Sequence, residues 1–222
     1  VGLPDAAIKE SRERVRSAIK NSGFLFSPQK ITINFAPADR KKGGSQYDLP
    51  VALSILAATG QLAKDCLTDY IVLGELSLDG RVRPVRGVFP MLIAAKQQGF
   101  RRMIIPAGNA AEAGFLDGIE VYACASLDET VRFLRAELPL QPVPYCSAAD
   151  RPNRAFHTDL CYVKGQYAAR RALEIAAAGG HNILMIGPPG GGKTMLAKCL
   201  PTILPDMTLE EALETTKIHS AA

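Results

Sequence analysis

The chain has 222 residues, of which 47% are hydrophobic and 22% charged, with a net charge of +4. That is apolar material for one large core or two small ones, and it excludes wholesale disorder. The mild basic excess permits a nucleic-acid or acidic partner without requiring one, and no apolar run is long enough to cross a bilayer.

Five scattered cysteines, Cys66, Cys124, Cys146, Cys161 and Cys199, contain no C-x-x-C pair. They fit neither a disulfide framework nor a zinc site, and point to a reduced, cytoplasmic setting. The first twenty residues lack the apolar centre of a signal peptide, and the chain opens on Val1, which reads as an internal piece.

Asp5 is placed to cap a helix from Ala6 to about Ser22, ended by Gly23. Ile31 to Ala36 alternates branched and aromatic residues with polar ones and reads as a strand. Asp48 reads as a second N-cap, with Pro50 in the first turn of a helix running to Gly60. Tyr70 to Leu78 and Arg81 to Val85, joined by Asp79-Gly80, read as a hairpin. A helix from Pro90 to Gln98, closed by Gly99, leads into a strand over Arg102 to Ile105. A further strand follows over Ile119 to Ala123, and Ser126-Leu-Asp-Glu129 is a capping box opening a helix to about Ala136. Residues 1–137 therefore form an α+β layered domain.

Residues 138–155 carry Pro139, Pro142, Pro144 and Pro152 with little apolar periodicity, the composition of a linker. In residues 156–222, Gly165-Gln166 precedes an alanine-rich helix that ends at Gly179-Gly180. Asn182 to Ile186 is a continuous apolar run, read as a buried parallel strand. A helix to about Leu200 is stopped by Pro201, and Thr208-Leu-Glu-Glu211 caps a last helix.

Between that strand and helix lies Gly187-Pro188-Pro189-Gly190-Gly191-Gly192-Lys193-Thr194, a full match to G-x-x-x-x-G-K-[ST]. Glycines allow the backbone N–H groups to converge on phosphate oxygens. Lys193 should reach the β- and γ-phosphates of ATP, and the Thr194 hydroxyl should ligate Mg2+. Hydrolysis also needs a second strand ending in acidic residues. Asp206, Glu210, Glu211 and Glu214 surround a capped helix instead, so no catalytic residue is assigned and this chain should not turn ATP over by itself.

Other signals are weaker. Lys9, Arg12, Arg16 and Lys20 fall within about 80° of arc on the first helix. They read as a phosphate contact or as a solvated face with Glu13 paired to Lys9 or Arg16, and the solvated face is the ordinary outcome. Arg40-Lys41-Lys42-Gly43-Gly44-Ser45 is a basic loop equally suited to an anion or to open solvent. His157, His181 and His219 follow no metal-ligand spacing, and Phe24, Phe26 and Phe35 read as core.

The runs Val1 to Ala7, Lys9 to Val15, Asp48 to Leu53 and Gly165 to Thr194 resemble the YifB/ComM family of magnesium-chelatase-like AAA+ ATPases, most specifically over Ala169 to Asn182. The resemblance implies a domain similar to the Lon protease domain, then the truncated start of an α/β P-loop AAA+ domain. It implies that Val163 and Gln166 lie near the adenine, and that Gly190, Gly192, Lys193 and Thr194 hold phosphate and magnesium. It implies a hexameric ring when full length, with DNA as a possible partner in branch migration during natural transformation or recombination. Walker B acids, sensors and arginine finger are missing by the same comparison. An alternative is the ATPase subunit of a chelatase-like or protein-remodelling complex, with the first domain as an interaction module. Proteolysis is the remaining rival. Ser45 falls where Lon-type proteases place a nucleophile, but Phe89 stands where the partner lysine should be, and it cannot take a proton.

Overall fold

A computed structural model describes residues 6–28, 30–36, 43–146 and 158–221. The chain divides into two compact units, Val1–Ala149 with Leu213–Ala222, and Asp150–Ala212.

The first unit is a mixed α/β layer structure built on a parallel sheet. Helix α1 spans Ala6–Asn21 and α2 Asp48–Ala58. Strands β1 (Tyr70–Val72), β4 (Arg102–Pro106) and β5 (Glu120–Cys124) lie in the order β1-β4-β5, all parallel. Between β1 and β4 the chain forms the short antiparallel pair β2 (Glu75–Leu76) and β3 (Val82–Arg83), then α3 (Val88–Gln97). The single-turn α4 (Ala110–Ala113) connects β4 to β5, and α5 (Leu127–Leu134) follows.

Alternation along the strands gives the sheet two apolar faces. Tyr70, Val72, Ile104, Tyr122 and Cys124 face one core with α1, α2 and α5, where Ile19, Leu49, Leu53, Leu56 and Leu127 are fully buried. Ile71, Met103, Ile105 and Val121 face a second core with α3, centred on Phe89 and Leu92. Burial pushes the Cys124 thiol up to about 11.

Most predicted helices and the strands over 102–105 and 119–123 form within a residue or two of the expected bounds. Ser126 caps α5 as read, its Oγ accepting from the Glu129 amide at 3.1 Å, while the Glu129 carboxylate accepts from Ala125 rather than from Ser126. The expected cap at Asp5 lies outside the described residues, as do Arg40 to Lys42 of the basic loop.

Three expectations are corrected. Ile31 to Ala36 forms no strand: Ile33 and Phe35 pack on the first core and Thr32 and Asn34 are exposed, and the run belongs to neither sheet. The long hairpin shrinks to β2 and β3, because Tyr70–Val72 pairs with β4 instead. The chain breaks away at Gly74, where a Cβ would come within 2.8 Å of Val82 and 3.2 Å of Leu49, so no larger residue fits the corner.

Asp48 is not an N-cap either. Tyr47 holds that position without a side-chain bond, and Asp48 lies in the first turn, fully buried. Its carboxylate accepts from Arg14 Nε at 2.8 Å and Nη2 at 3.4 Å, and from the Leu76 amide at 3.3 Å. One acid thus ties α1, α2 and β2 together. Burial raises its pKa above the ordinary carboxylate value, and the bonds from Arg14 and Leu76 oppose that rise without cancelling it.

Asp48→Ala removes the acceptor of the Leu76 amide and of a part-buried guanidinium, and should cost about 1–3 kcal/mol in urea unfolding. Cys124 should resist alkylation at pH 8 until the chain unfolds, whereas the exposed Cys161 is open to the reagent; mass spectrometry of the labelled protein checks this.

Candidate phosphate-binding loop

The second unit is organised by a small core of Leu160, Val163, Leu173, Leu196 and Cys199, with Ala169, Met185, Leu200 and Ile203 packed against it. Leu173 comes from α6 (Tyr167–Gly179), and Leu196 and Cys199 from α7 (Lys193–Cys199). Helix α6 stops as read: Gly180 adopts φ +61° and the His181 amide closes on the Ala176 carbonyl at 2.9 Å.

Asn182 to Ile186 is extended but is not a strand, a second correction of the same kind as at Ile31. Leu184 and Ile186 are 83% and 88% exposed, and only Met185 reaches the core. A parallel strand needs neighbouring backbone, and none of the described residues supplies it here.

The loop itself is shaped by its glycines. Gly190 and Gly192 sit at φ +79° and +76°, the left-handed region that residues with a Cβ rarely enter. Pro188 O accepts from the Gly191 amide at 3.3 Å, closing the turn before α7 begins at Lys193. The Lys193 ammonium folds back over the loop, donating to Gly187 O at 2.8 Å and Pro188 O at 2.7 Å. Thr194 is exposed in the first turn of α7, and Gly187, Pro188 and Pro189 are exposed as well. Loop and lysine are thus together.

Val163 and Gln166 are placed differently from one another. The Val163 side chain is 4% exposed, inside the core that also holds Leu196 of α7. Its carbonyl accepts from Arg170 Nη1 at 3.2 Å. Gln166 is an exposed residue at φ +53° that opens α6. Beyond the loop, Asp206 and Glu214 are exposed, and Glu211 is used as a cap, accepting from the Thr208 amide at 2.8 Å. Among the described residues no cluster of His, Cys, Asp or Glu could hold a metal.

In the first unit, the Ser45 hydroxyl donates to the Glu75 carboxylate, and Phe89 is fully buried. Sequence reading missed both the Glu75 bond and the Arg14–Asp48 pair. Neither partner is near the other in the chain, and no local pattern marks them.

Comparison with known proteins places the chain among its relatives. The family described as "Subunit ChlI of Mg-chelatase" matches residues 1–109, and that described as "Magnesium chelatase, subunit ChlI" matches residues 159–222. The class is therefore that of magnesium-chelatase ChlI-type proteins. The uncharacterized protein YifB of Escherichia coli is 46% identical over 221 residues, which is 99% of this chain and 43% of YifB. The competence protein ComM of Haemophilus influenzae is 44% identical over 222 residues, 99% of this chain and 43% of ComM. Lon protease 2 of Bacillus subtilis is 32% identical over 138 residues, 62% of this chain and 24% of the protease. The chain belongs to the YifB/ComM family of magnesium-chelatase-like AAA+ proteins. It spans less than half the length of the YifB and ComM proteins it matches.

Amides without partners exchange fast, and those in a packed ladder exchange slowly. The amides of residues 182–186 should exchange within seconds, while those of β4 and β5 stay protected; hydrogen exchange read by mass spectrometry checks both. Limited proteolysis should accordingly cut within residues 182–192 before it cuts the first unit.

Proposed function

We propose that this chain is the ATP-binding piece of a ring-forming AAA+ motor that acts on DNA. The reading divides it into a non-proteolytic Lon-like domain over residues 1–137, a linker over 138–155, and the N-terminal part of an AAA+ ATPase domain over 156–222.

The observation that carries the nucleotide reading is the loop at 187–194. Its donor set suits a magnesium-bound triphosphate: backbone N–H groups around two left-handed glycines, one ammonium and one hydroxyl. Gly187, Gly190 and Gly192 leave the space beside the loop free of neighbouring protein atoms out to 3.8 Å or more from where a Cβ would stand. Lys193 already lies across the loop, and its two carbonyl bonds would be exchanged for phosphate oxygens. Thr194 would offer its hydroxyl to Mg2+. When bound, ATP supplies the phosphoryl group whose hydrolysis drives motion; Gly190, Gly192 and Lys193 would grip and orient it. Val163 and Gln166 would border the adenine, the first through the fixed backbone that its buried side chain anchors.

The first domain's reading as non-proteolytic is supported by Phe89. Phe89, which by position along the sequence stands where a Ser–Lys dyad would have its base, is a buried ring that cannot take a proton, and the Ser45 hydroxyl donates to Glu75. DNA as partner is supported by the similarity to ComM, a competence protein. The family's AAA+ character supports a hexameric ring for the longer protein. No described helix is long and apolar enough to cross a membrane; the motor is proposed to work in the cytoplasm. A chelatase-like or protein-remodelling ATPase is the second reading, favoured by the two ChlI family matches.

The test is ATP hydrolysis by a longer form of the chain that includes the rest of the AAA+ module, with and without branched DNA, beside Lys193→Ala. The DNA-motor reading expects stimulation by branched DNA that falls by at least about tenfold in the variant. Lys193-dependent hydrolysis indifferent to DNA would move the assignment to the chelatase or remodelling class.

A further inference from the structure

We infer that the exposed side of α1, together with Leu25, is a docking surface for single-stranded DNA. The choice of DNA rests on the motor reading above; the surface rests on observations of its own.

Arg12, Arg16 and Lys20 recur every fourth residue, so their stems stand about 6 Å apart along one side of α1. All three are exposed. Elsewhere among the described residues some exposed arginines are matched by acids, Arg81 by Asp79 at 3.2 Å, Arg102 by Glu120 at 3.1 Å and Arg171 by Glu174 at 2.9 Å, while Arg86 and Arg101 stand singly without one; on α1 three such cations share one side of a helix. Among the described residues no carboxylate pairs with Arg12, Arg16 or Lys20, although Glu13 is on the same helix. The solvated-face reading paired Glu13 with Lys9 or Arg16; the bond to Arg16 is not formed, and the Lys9 side chain lies outside the described residues.

The loop after α1 adds an apolar element. Leu25 is 78% exposed, yet its backbone is held on both sides. Its amide donates to Gln61 Oε1 at 2.8 Å, and Gln61 Nε2 donates to its carbonyl at 2.7 Å. The Gln61 amide also donates to Thr59 Oγ1 at 2.9 Å, and the Gln61 carbonyl accepts from Arg135 Nη2 at 2.6 Å. The neighbours Phe24 and Phe26 turn inward onto the first core. The Arg135 guanidinium lies 5.9 Å from the Phe24 ring and that of Arg16 5.8 Å from the Phe26 ring. Leu25 is therefore exposed on a backbone held by Gln61, and each of its two neighbours in sequence carries a guanidinium against its ring, one of them Arg16 of the α1 row.

Cations at regular spacing neutralise a phosphate backbone without reading sequence. A fixed apolar side chain beside them offers a surface to the face of a base. Duplex DNA keeps those faces stacked, whereas a single strand presents them, so the single strand is the matching partner.

The experiment is binding of a fluorescein-labelled oligothymidylate to the whole 222-residue chain without nucleotide, followed by anisotropy over a range of salt. The triple variant Arg12→Ala/Arg16→Ala/Lys20→Ala should bind at least roughly tenfold more weakly, with a salt slope smaller by about 2. Leu25→Ser should weaken binding with the salt slope unchanged. Arg81→Ala/Arg83→Ala, which removes two charges already paired with Asp79 and Glu75, should bind as the parent does. Circular dichroism on each variant separates lost binding from lost folding. Parental binding by the triple variant overturns the proposal. So does an equal loss in the Arg81/Arg83 variant, or competition by duplex as effective as by single strand. Lys193→Ala should bind the probe normally, so failure of the ATPase reading and failure of this one are told apart.

Discussion

A strand in a parallel sheet has amide and carbonyl groups that only another strand can satisfy, and this requirement decides which apolar runs of the chain become sheet. In the first unit β4 lies between β1 and β5, and three short runs are fixed by a continuous register from Tyr70–Arg102–Glu120 onward. Apolar side chains on both faces then gather two cores from one layer. In the second unit Asn182 to Ile186 has the same kind of composition but no neighbour among the described residues, and its side chains remain largely exposed. Composition is the same in the two cases; pairing differs.

Around that sheet, the Arg14–Asp48 pair fixes how the helices of the first unit meet. A buried carboxylate is tolerated only when its oxygens are occupied, and here a guanidinium from α1 and an amide from β2 occupy them. The pair need not contribute net stability over an apolar substitute. Its geometry joins one position of α1 to one of α2 and to the β2 backbone at Leu76.

The loop at 187–194 takes its shape from local chemistry, with no paired strand beside it among the described residues. Its shape depends on two left-handed glycines, a proline carbonyl and a lysine within eight consecutive residues, all close in sequence. The small core beneath it holds α7 through Leu196 and Cys199 and needs no sheet. The bonds of Lys193 to the loop carbonyls hold a cation at the place where the proposed phosphates would need one.

The sequence by itself determined the features that act over a few residues. The helix stops at Gly99 and Gly180, the cap at Ser126, the turn at Gly80 and the glycine–lysine loop depend on backbone freedom and on bonds between near neighbours. Tertiary structure alone decided the rest. Ile31 to Ala36 and Asn182 to Ile186 read as strands because alternation or apolar runs report which face is buried, but a ladder needs a partner that no local pattern encodes. Tyr70 to Val72 read as one arm of a hairpin, and β4 claimed it across thirty-two positions of sequence. Asp48 read as a cap, since an acid before a helix usually is one, and Arg14, thirty-four residues away, made it the buried member of an ion pair. Those outcomes depend on which distant groups meet, and that is set by packing the whole unit.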